Sequence, residues 1–89
     1  MGKKRERLEV IKDILKVIRS SRRIKPTRLL YASNLSPQMF KDYIKELREK
    51  GFINMDEIEG KKEFYLTKKG NNFLQEYRVI ENFVENFGL

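Results

Sequence analysis

The sequence predicts a mostly α-helical fold with one small β-hairpin. Apolar residues recur every three or four positions through most of the chain, whereas two short segments in its second half are rich in aromatic and β-branched residues. Ser, Pro, Asn and Gly stand at the boundaries between these segments, as they do at helix ends and turns. With 89 residues, of which 39% are hydrophobic, the chain can form one compact core. We therefore expect a single domain over residues 1–89.

The first two helices are predicted on either side of a basic connector. The first, residues 5–19, carries its apolar residues on one stripe, namely Leu8, Ile11, Ile14, Leu15 and Ile18. The connector, residues 20–25, ends before Pro26, which disfavours helix in the residue that precedes it. We expect the second helix to begin near Thr27 as its N-cap and to end at Ser33 and Asn34, residues that suit a tight turn.

The third helix, residues 36–50, has both ends marked. Ser36 is a strong N-cap, Pro37 is favoured at the first helical position, and Gly51 can adopt the left-handed conformation that ends a helix. One face is apolar and consists of Phe40, Tyr43, Ile44 and Leu47. Its spacing predicts that this face packs against the core.

A hairpin and a long last helix complete the chain. Residues 52–58 and 63–66 are predicted strands, and the loop between them contains Gly60. Thr67 can cap a helix over residues 67–87, which would be roughly 30 Å long at about 1.5 Å per residue. This order of elements predicts a winged helix-turn-helix with an extended C-terminal helix.

Several short stretches within about residues 6–77 belong together, namely residues 27–31, 34–36, 43–44, 47, 51–53 and 65–70, followed by Leu74. Together they resemble an archaeal family of small winged-helix DNA-binding proteins and regulators. Pro37 departs from the side chain expected at that position. The resemblance implies DNA binding and a dimer formed through an antiparallel C-terminal coiled coil.

Composition excludes most catalytic chemistry. The chain has no Cys and no His, so it lacks cysteine nucleophiles, imidazole bases and the commonest soft metal ligands. No pair of carboxylates lies in an apolar segment that would raise a pKa. We therefore expect no enzyme, no metal, no cofactor and no small-molecule ligand. The sequence also has no apolar run long enough to span a membrane, and a cytoplasmic, nucleoid-associated protein is predicted.

Positive charge is concentrated near the N-terminus. Residues 1–28 contain 11 Lys or Arg and 3 acids, a net of +8, whereas residues 29–89 contain 9 bases and 10 acids, a net of −1. Such an asymmetry favours a polyanionic partner, because neutralised phosphates release counterions. A well-solvated surface rich in Lys and Glu is the alternative explanation.

Candidate DNA contacts fall in three regions. The outward side of the third helix offers Gln38, Lys41, Lys45 and Arg48, and the wing, residues 59–63, places Lys61 and Lys62 on a mobile loop. Arg22, Arg23 and Arg28 surround the start of the second helix, where backbone donors suit a phosphate. Lys3, Lys4, Arg5 and Arg7 could form a basic arm. For each of these groups an ordinary solvated surface is the alternative, and Asp42 and Glu49 argue against a purely electrostatic third helix.

The last helix carries a heptad pattern. Phe73, Tyr77, Ile80, Val84 and Phe87 are spaced four, three, four and three residues apart, with Leu74 and Phe83 beside them. The stripe could fold back onto its own domain, but about five turns exceed what so small a core can cover. We therefore predict a homodimer interface formed by Tyr77, Ile80, Phe83, Val84 and Phe87.

These features together predict a double-stranded DNA-binding protein, a transcriptional regulator or chromatin-associated protein acting as a homodimer. The third helix would enter the major groove, and the wing would contact the flanking groove or backbone. A winged-helix protein-interaction adaptor is the main alternative, because fold alone does not decide function. An RNA-binding protein is a weaker alternative, since no sheet with paired aromatic residues is predicted.

Overall fold

A computed structural model describes residues 6–89, which form four helices and one antiparallel hairpin. The elements in chain order are α1 (Arg7–Ser21), α2 (Pro26–Ser33), α3 (Pro37–Glu49), β1 (Ile53–Ile58), β2 (Lys61–Leu66) and α4 (Lys68–Asn86). This arrangement confirms the predicted fold class of a winged helix-turn-helix with an extended C-terminal helix.

The core is built around α1, which packs against α2, α4 and β2. Ile14, Leu15 and Ile18 of α1 are completely buried, as the periodicity predicts. Leu29 of α2 and Leu47 of α3 lie in the same cluster. The apolar faces of the first three helices therefore hold α3 in a fixed place relative to α1.

The boundary between α1 and α2 differs from the prediction. α1 extends to Ser21, and Arg22 reverses the chain with a φ of 63°. α2 begins at Pro26 with Lys25 as its N-cap, so the assignment of Thr27 as N-cap was wrong. Proline suits the first helical position because its φ is already helical and its missing N–H would have no partner there.

The turn between α2 and α3 confirms the prediction. Asn34 adopts the left-handed conformation with a φ of 58°. The Ser36 hydroxyl then accepts a hydrogen bond from the backbone N–H of Met39 at 3.2 Å, and Pro37 occupies the first helical position. These local signals fix the angle at which α3 follows α2.

The hairpin turns more tightly than the sequence suggested. Strand pairing continues to Ile58 and Lys61, and the intervening Glu59 and Gly60 both have positive φ, of 52° and 79°. A two-residue turn of this kind matches the right-handed twist of paired strands. Lys61 and Lys62 therefore belong to β2, and their placement on a mobile loop was wrong.

The connector before α2 joins the hairpin. Ile24 forms an antiparallel bridge with Phe64, whose N–H and C=O both bond to Ile24 at 2.8 and 3.0 Å. Both side chains are buried. The wing is thus attached to the end of α1, a connection that the sequence analysis did not anticipate.

The chain between the wing and α4 is tied to the end of α3. The Thr67 hydroxyl accepts from the N–H of Gly70 at 3.2 Å, which confirms the predicted N-cap, and donates to the carbonyl of Gly51 at 2.5 Å. The Lys69 ammonium donates to the carbonyl of Lys50 at 2.8 Å. These bonds fix the wing and α4 relative to the C-terminal end of α3.

None of the helices within residues 6–89 is long and apolar enough to cross a membrane.

Candidate nucleic-acid interface

α3 exposes a stripe of positive charge next to the wing. Lys41, Lys45 and Arg48 are exposed and lie at i, i+4 and i+7, so they share one side of the helix. They line a groove of about 580 Å³ whose opposite wall is formed by β1 and includes Asn54. We call these three residues the cationic stripe. The stripe can neutralise phosphates, and Asn54 is a polar neighbour that the sequence patterns did not indicate.

The outermost ridge of α3 also carries negative charge. Gln38 and Asp42 are both exposed, and the Gln38 side-chain amide donates to Oδ1 of Asp42 at 3.1 Å. Lys45 and Glu49 continue the same ridge toward the C-terminal end of the helix. The ridge therefore offers both donors and acceptors, whereas the cationic stripe offers donors alone.

A network of ion pairs around Glu46 joins α3 to α1. The Arg7 guanidinium donates to the Glu46 carboxylate, which also accepts from Lys50 at 2.7 Å. Arg7 lies 5.9 Å from the centre of the Tyr43 ring as well. Both hydrogen bonds lower the pKa of Glu46, and the bond from Arg7 has the larger effect. Arg7 is therefore part of α1 rather than of a basic arm, while Lys3, Lys4 and Arg5 lie outside the described residues.

Arg22, Arg23 and Arg28, near the start of α2, do not form one cluster. Arg23 donates to Asp56 of the wing at 2.7 Å and lies 4.8 Å from the centre of the Tyr65 ring, and the bond to Asp56 raises the pKa of Arg23. Arg28 shares a groove with Arg23. Arg22 lines a separate groove with Lys68, among other residues. Arg23 thus has a structural partner in the wing that its position in the sequence does not reveal.

The wing tip is exposed but not uniformly basic. Lys61 and Lys62 stand opposite Ile58 and Glu57 in the register of the hairpin. Residues 53–66 contain four acids and two lysines. Phosphates would therefore be attracted to the two lysines while the rest of the wing repels them.

The C-terminal half of α4 presents an apolar surface to solvent. Ile80, Phe83, Val84 and Phe87 are 58%, 56%, 40% and 68% exposed, and we call these four residues the α4 apolar face. Phe83 and Phe87 contact each other with ring centres 4.8 Å apart. Val79 and Leu89 are exposed apolar residues that the heptad pattern did not select. Leu8, the first residue of the predicted apolar stripe of α1, is 52% exposed rather than buried with the rest of that stripe. Leu8 and Leu89 line a groove of about 720 Å³ with Ile80 and Val84.

Tyr77 differs from the other predicted interface residues. Its ring stacks on Phe73 at 5.8 Å and receives the Lys12 ammonium at 5.5 Å, and burial raises the pKa of its hydroxyl. Lys12 also donates to Glu81 at 2.9 Å, which joins α1 to α4. Tyr77 is therefore half-buried within its own chain, where it connects the core to the α4 apolar face.

The described residues contain no group of three or more potential ligands that could hold a metal ion.

Residues 4–85 match the family described as winged helix-turn-helix. The chain belongs to the winged helix-turn-helix family. It is 42% identical over 79 residues to an uncharacterized protein of Methanocaldococcus jannaschii, and the alignment covers 88% of this chain and 76% of that protein.

Solved structures share this winged helix-turn-helix fold. The DNA-binding protein Sso10a-2 of Sulfolobus solfataricus has a TM-score of 0.77 and 22% identity, over 93% of this chain and 85% of that chain. F-93 of SSV1 has a TM-score of 0.71 and 23% identity, over 98% and 95%. A MarR mutant from E. coli, crystallised with operator DNA, has a TM-score of 0.67 and 17% identity, over 74% of this chain and 49% of that chain. This chain thus matches about half the length of MarR.

Proposed function

We propose that this protein is a non-enzymatic regulator that binds double-stranded DNA as a homodimer. In the proposed complex α3 lies in the major groove and the wing contacts the adjacent backbone or minor groove. The similarity to Sso10a-2 and to MarR, both of which are described as binding DNA, supports this proposal.

The observation that carries the proposal is the cationic stripe. Its three residues are exposed on the second helix of a helix-turn-helix, which is the helix that reads the major groove in proteins of this architecture. They also line the groove between α3 and β1, so a phosphate row could pass between the helix and the wing. Arg22, Arg28, Lys61 and Lys62 are proposed as further phosphate contacts. Arg23 would bind phosphate only through N–H donors other than the one that Asp56 accepts.

The α4 apolar face supports the proposed homodimer. Four apolar side chains, 40–68% exposed, lie at one end of a 19-residue helix. A second copy of the same helix would cover them, because identical heptad patterns are complementary to each other. Two joined copies would bind two half-sites, and the second contact becomes effectively intramolecular.

Fluorescence anisotropy with a labelled duplex, titrated at several salt concentrations, tests DNA binding. Changing Lys41→Ala and Lys45→Ala together should weaken binding to all sequences. It should lower the log–log salt slope by about 3.6 for the homodimer, because each phosphate contact contributes about 0.9 and the two changes remove four contacts from two protomers. The matched control is Lys16→Ala with Arg78→Ala, which removes the same charge from the groove between α1 and α4. Equal losses in both double variants, or equally tight binding of duplex RNA, would contradict the proposed surface.

Sedimentation of an Ile80→Asp variant tests the homodimer. The new carboxylate would be buried without a partner between two helices, at a cost of about 3 kcal/mol or more, and the variant should be a folded monomer. Gln75→Asp places the same charge on an exposed position of α4 outside the apolar face and should leave the dimer intact. DNA affinity should fall by about 100-fold with the monomer. A monomeric wild type at tens of micromolar, or a dimeric Ile80→Asp variant, would contradict the proposed interface.

A further inference from the structure

Asp42 is an acid in the middle of the surface that the proposed function places against DNA. It is exposed, and it follows Lys41 in the helix that carries the cationic stripe. A carboxylate there repels phosphates, so it opposes the electrostatic attraction that the stripe supplies. An acid on such a surface reduces non-specific affinity, but it favours binding at sites where it meets hydrogen-bond donors on the bases.

The carboxylate of Asp42 can accept further hydrogen bonds from such donors. One oxygen, Oδ1, accepts from the Gln38 amide at 3.1 Å. Within residues 6–89, no hydrogen bond or ion pair engages the other oxygen, Oδ2. Lys41 and Lys45 are the nearest cations along the helix. Among residues 6–89, neither of them forms an ion pair with Asp42.

The major groove offers donors at particular bases. Cytosine presents its N4 amino group and adenine its N6 amino group, whereas guanine presents acceptors at N7 and O6 and thymine presents an acceptor at O4. A carboxylate therefore attracts cytosine and rejects guanine and thymine. Adenine places its N7 acceptor beside the amino group, which makes it a poorer partner for a carboxylate than cytosine is.

The bond between Gln38 and Asp42 also orients the glutamine. One amide hydrogen of Gln38 is held by Asp42, which leaves the second hydrogen and Oε1 free to pair with an adenine through its N7 and N6. The two residues are one turn apart on the ridge of α3, so they would face neighbouring base pairs. We propose that Asp42 is a specificity-determining residue of this protein, which accepts a hydrogen bond from the N4 amino group of a cytosine and positions Gln38 for the next base.

This inference rests on the proposed DNA binding, and its test separates the two. Wild-type protein is used to select sites from a randomised duplex library, and the selected sites define a base preference at each position. Asp42→Asn retains the shape of the side chain, but it replaces an acceptor by a donor–acceptor pair that suits adenine. The variant should shift the preference from cytosine to adenine at one position, by about tenfold, and leave the distal positions unchanged.

The matched control is Glu49→Gln, which removes one negative charge from the same ridge, two turns from Asp42. It should raise affinity for all sites by a similar factor without changing any base preference. Circular dichroism of each variant confirms that the exposed substitution leaves the helix intact.

Three outcomes decide the matter. A position-specific switch with Asp42→Asn, absent from Glu49→Gln, supports the inference. A uniform rise in affinity in both variants, with unchanged base preferences, overturns it and leaves the proposed DNA binding standing. If wild-type protein selects no duplex at all, the proposed function fails and the inference fails with it.

Discussion

Replacement of Thr67 by Val should cost more stability than the loss of a helix cap alone. The substitution keeps the β-branched shape and suits the extended backbone of Thr67, which has a φ of −86° and a ψ of 173°. It removes the hydroxyl, which caps α4 through the N–H of Gly70 and also donates to the carbonyl of Gly51. The cap contributes about 1 kcal/mol and the second hydrogen bond about 1 kcal/mol, so we expect a loss of about 2 kcal/mol.

Thermal unfolding followed by circular dichroism measures this loss. For a chain of 89 residues, 2 kcal/mol corresponds to a decrease in Tm of roughly 8–16 °C. Thr67→Ser retains the hydroxyl and should lose much less. Ser36→Ala removes the exposed cap of α3, which makes one bond to Met39, and should lose about half as much as Thr67→Val. If Thr67→Val is no less stable than Ser36→Ala, the bond to Gly51 contributes nothing and the reasoning is refuted.

Two further predictions concern packing and pH. A change from Gly to Ala normally stabilises a helix by about 1 kcal/mol. At Gly70, however, the added Cβ would clash with the carbonyl oxygen of Phe52 and lie 3.1 Å from Leu66, so denaturant unfolding of Gly70→Ala should show a loss of about 1–3 kcal/mol in stability. A stabilised variant would contradict this packing. Because Arg7 and Lys50 lower the pKa of Glu46 in the folded protein, the carboxylate stabilises the fold above its ordinary pKa of 4.5 and loses this contribution as the pH falls through the lowered value. The Tm difference between wild type and Glu46→Gln should therefore be present at pH 7 and shrink below about pH 4.5; a difference independent of pH would rule out the ion pairs as its source.

The sequence predicted best where the determining interactions are local. Ser36 caps a backbone N–H three residues away, and Thr67 does the same at the start of α4. Asn34 and Gly51 adopt the positive φ angles that end helices. Signals of this kind lie within four residues of each other, so the sequence displays both partners together.

Prediction was poorer where two local rules compete. Thr27 is a good N-cap in isolation, yet Pro26 is equally favoured at the first helical position, and the structure follows the proline. The hairpin loop was predicted too long because Lys61 and Lys62 are polar and have low intrinsic strand preference. Pairing with β1 and the two-residue turn override that preference.

Other features of the candidate site depend on contacts between distant segments. Arg7 and Glu46 are 39 residues apart, and Arg23 and Asp56 are 33 residues apart. No periodicity in the sequence links such pairs, and their side chains meet only because the core fixes α1, α3 and the wing against one another. Whether an arginine is free to bind phosphate is decided by these contacts rather than by its neighbours along the chain.

The sequence by itself therefore determined the order of the elements, most of their ends, and the spacing that places Lys41, Lys45 and Arg48 on one side of α3. The tertiary structure alone decided that the stripe faces a groove with β1, that Arg23 is held by the wing, and that the wing is attached to Ile24. It also decided which residues of the heptad pattern of α4 are covered by the core. Tyr77 lies against α1, whereas Ile80, Phe83, Val84 and Phe87 lie past the end of the core. The physical reason is that spacing fixes the face of a helix on which a residue lies, but only packing fixes what that face meets.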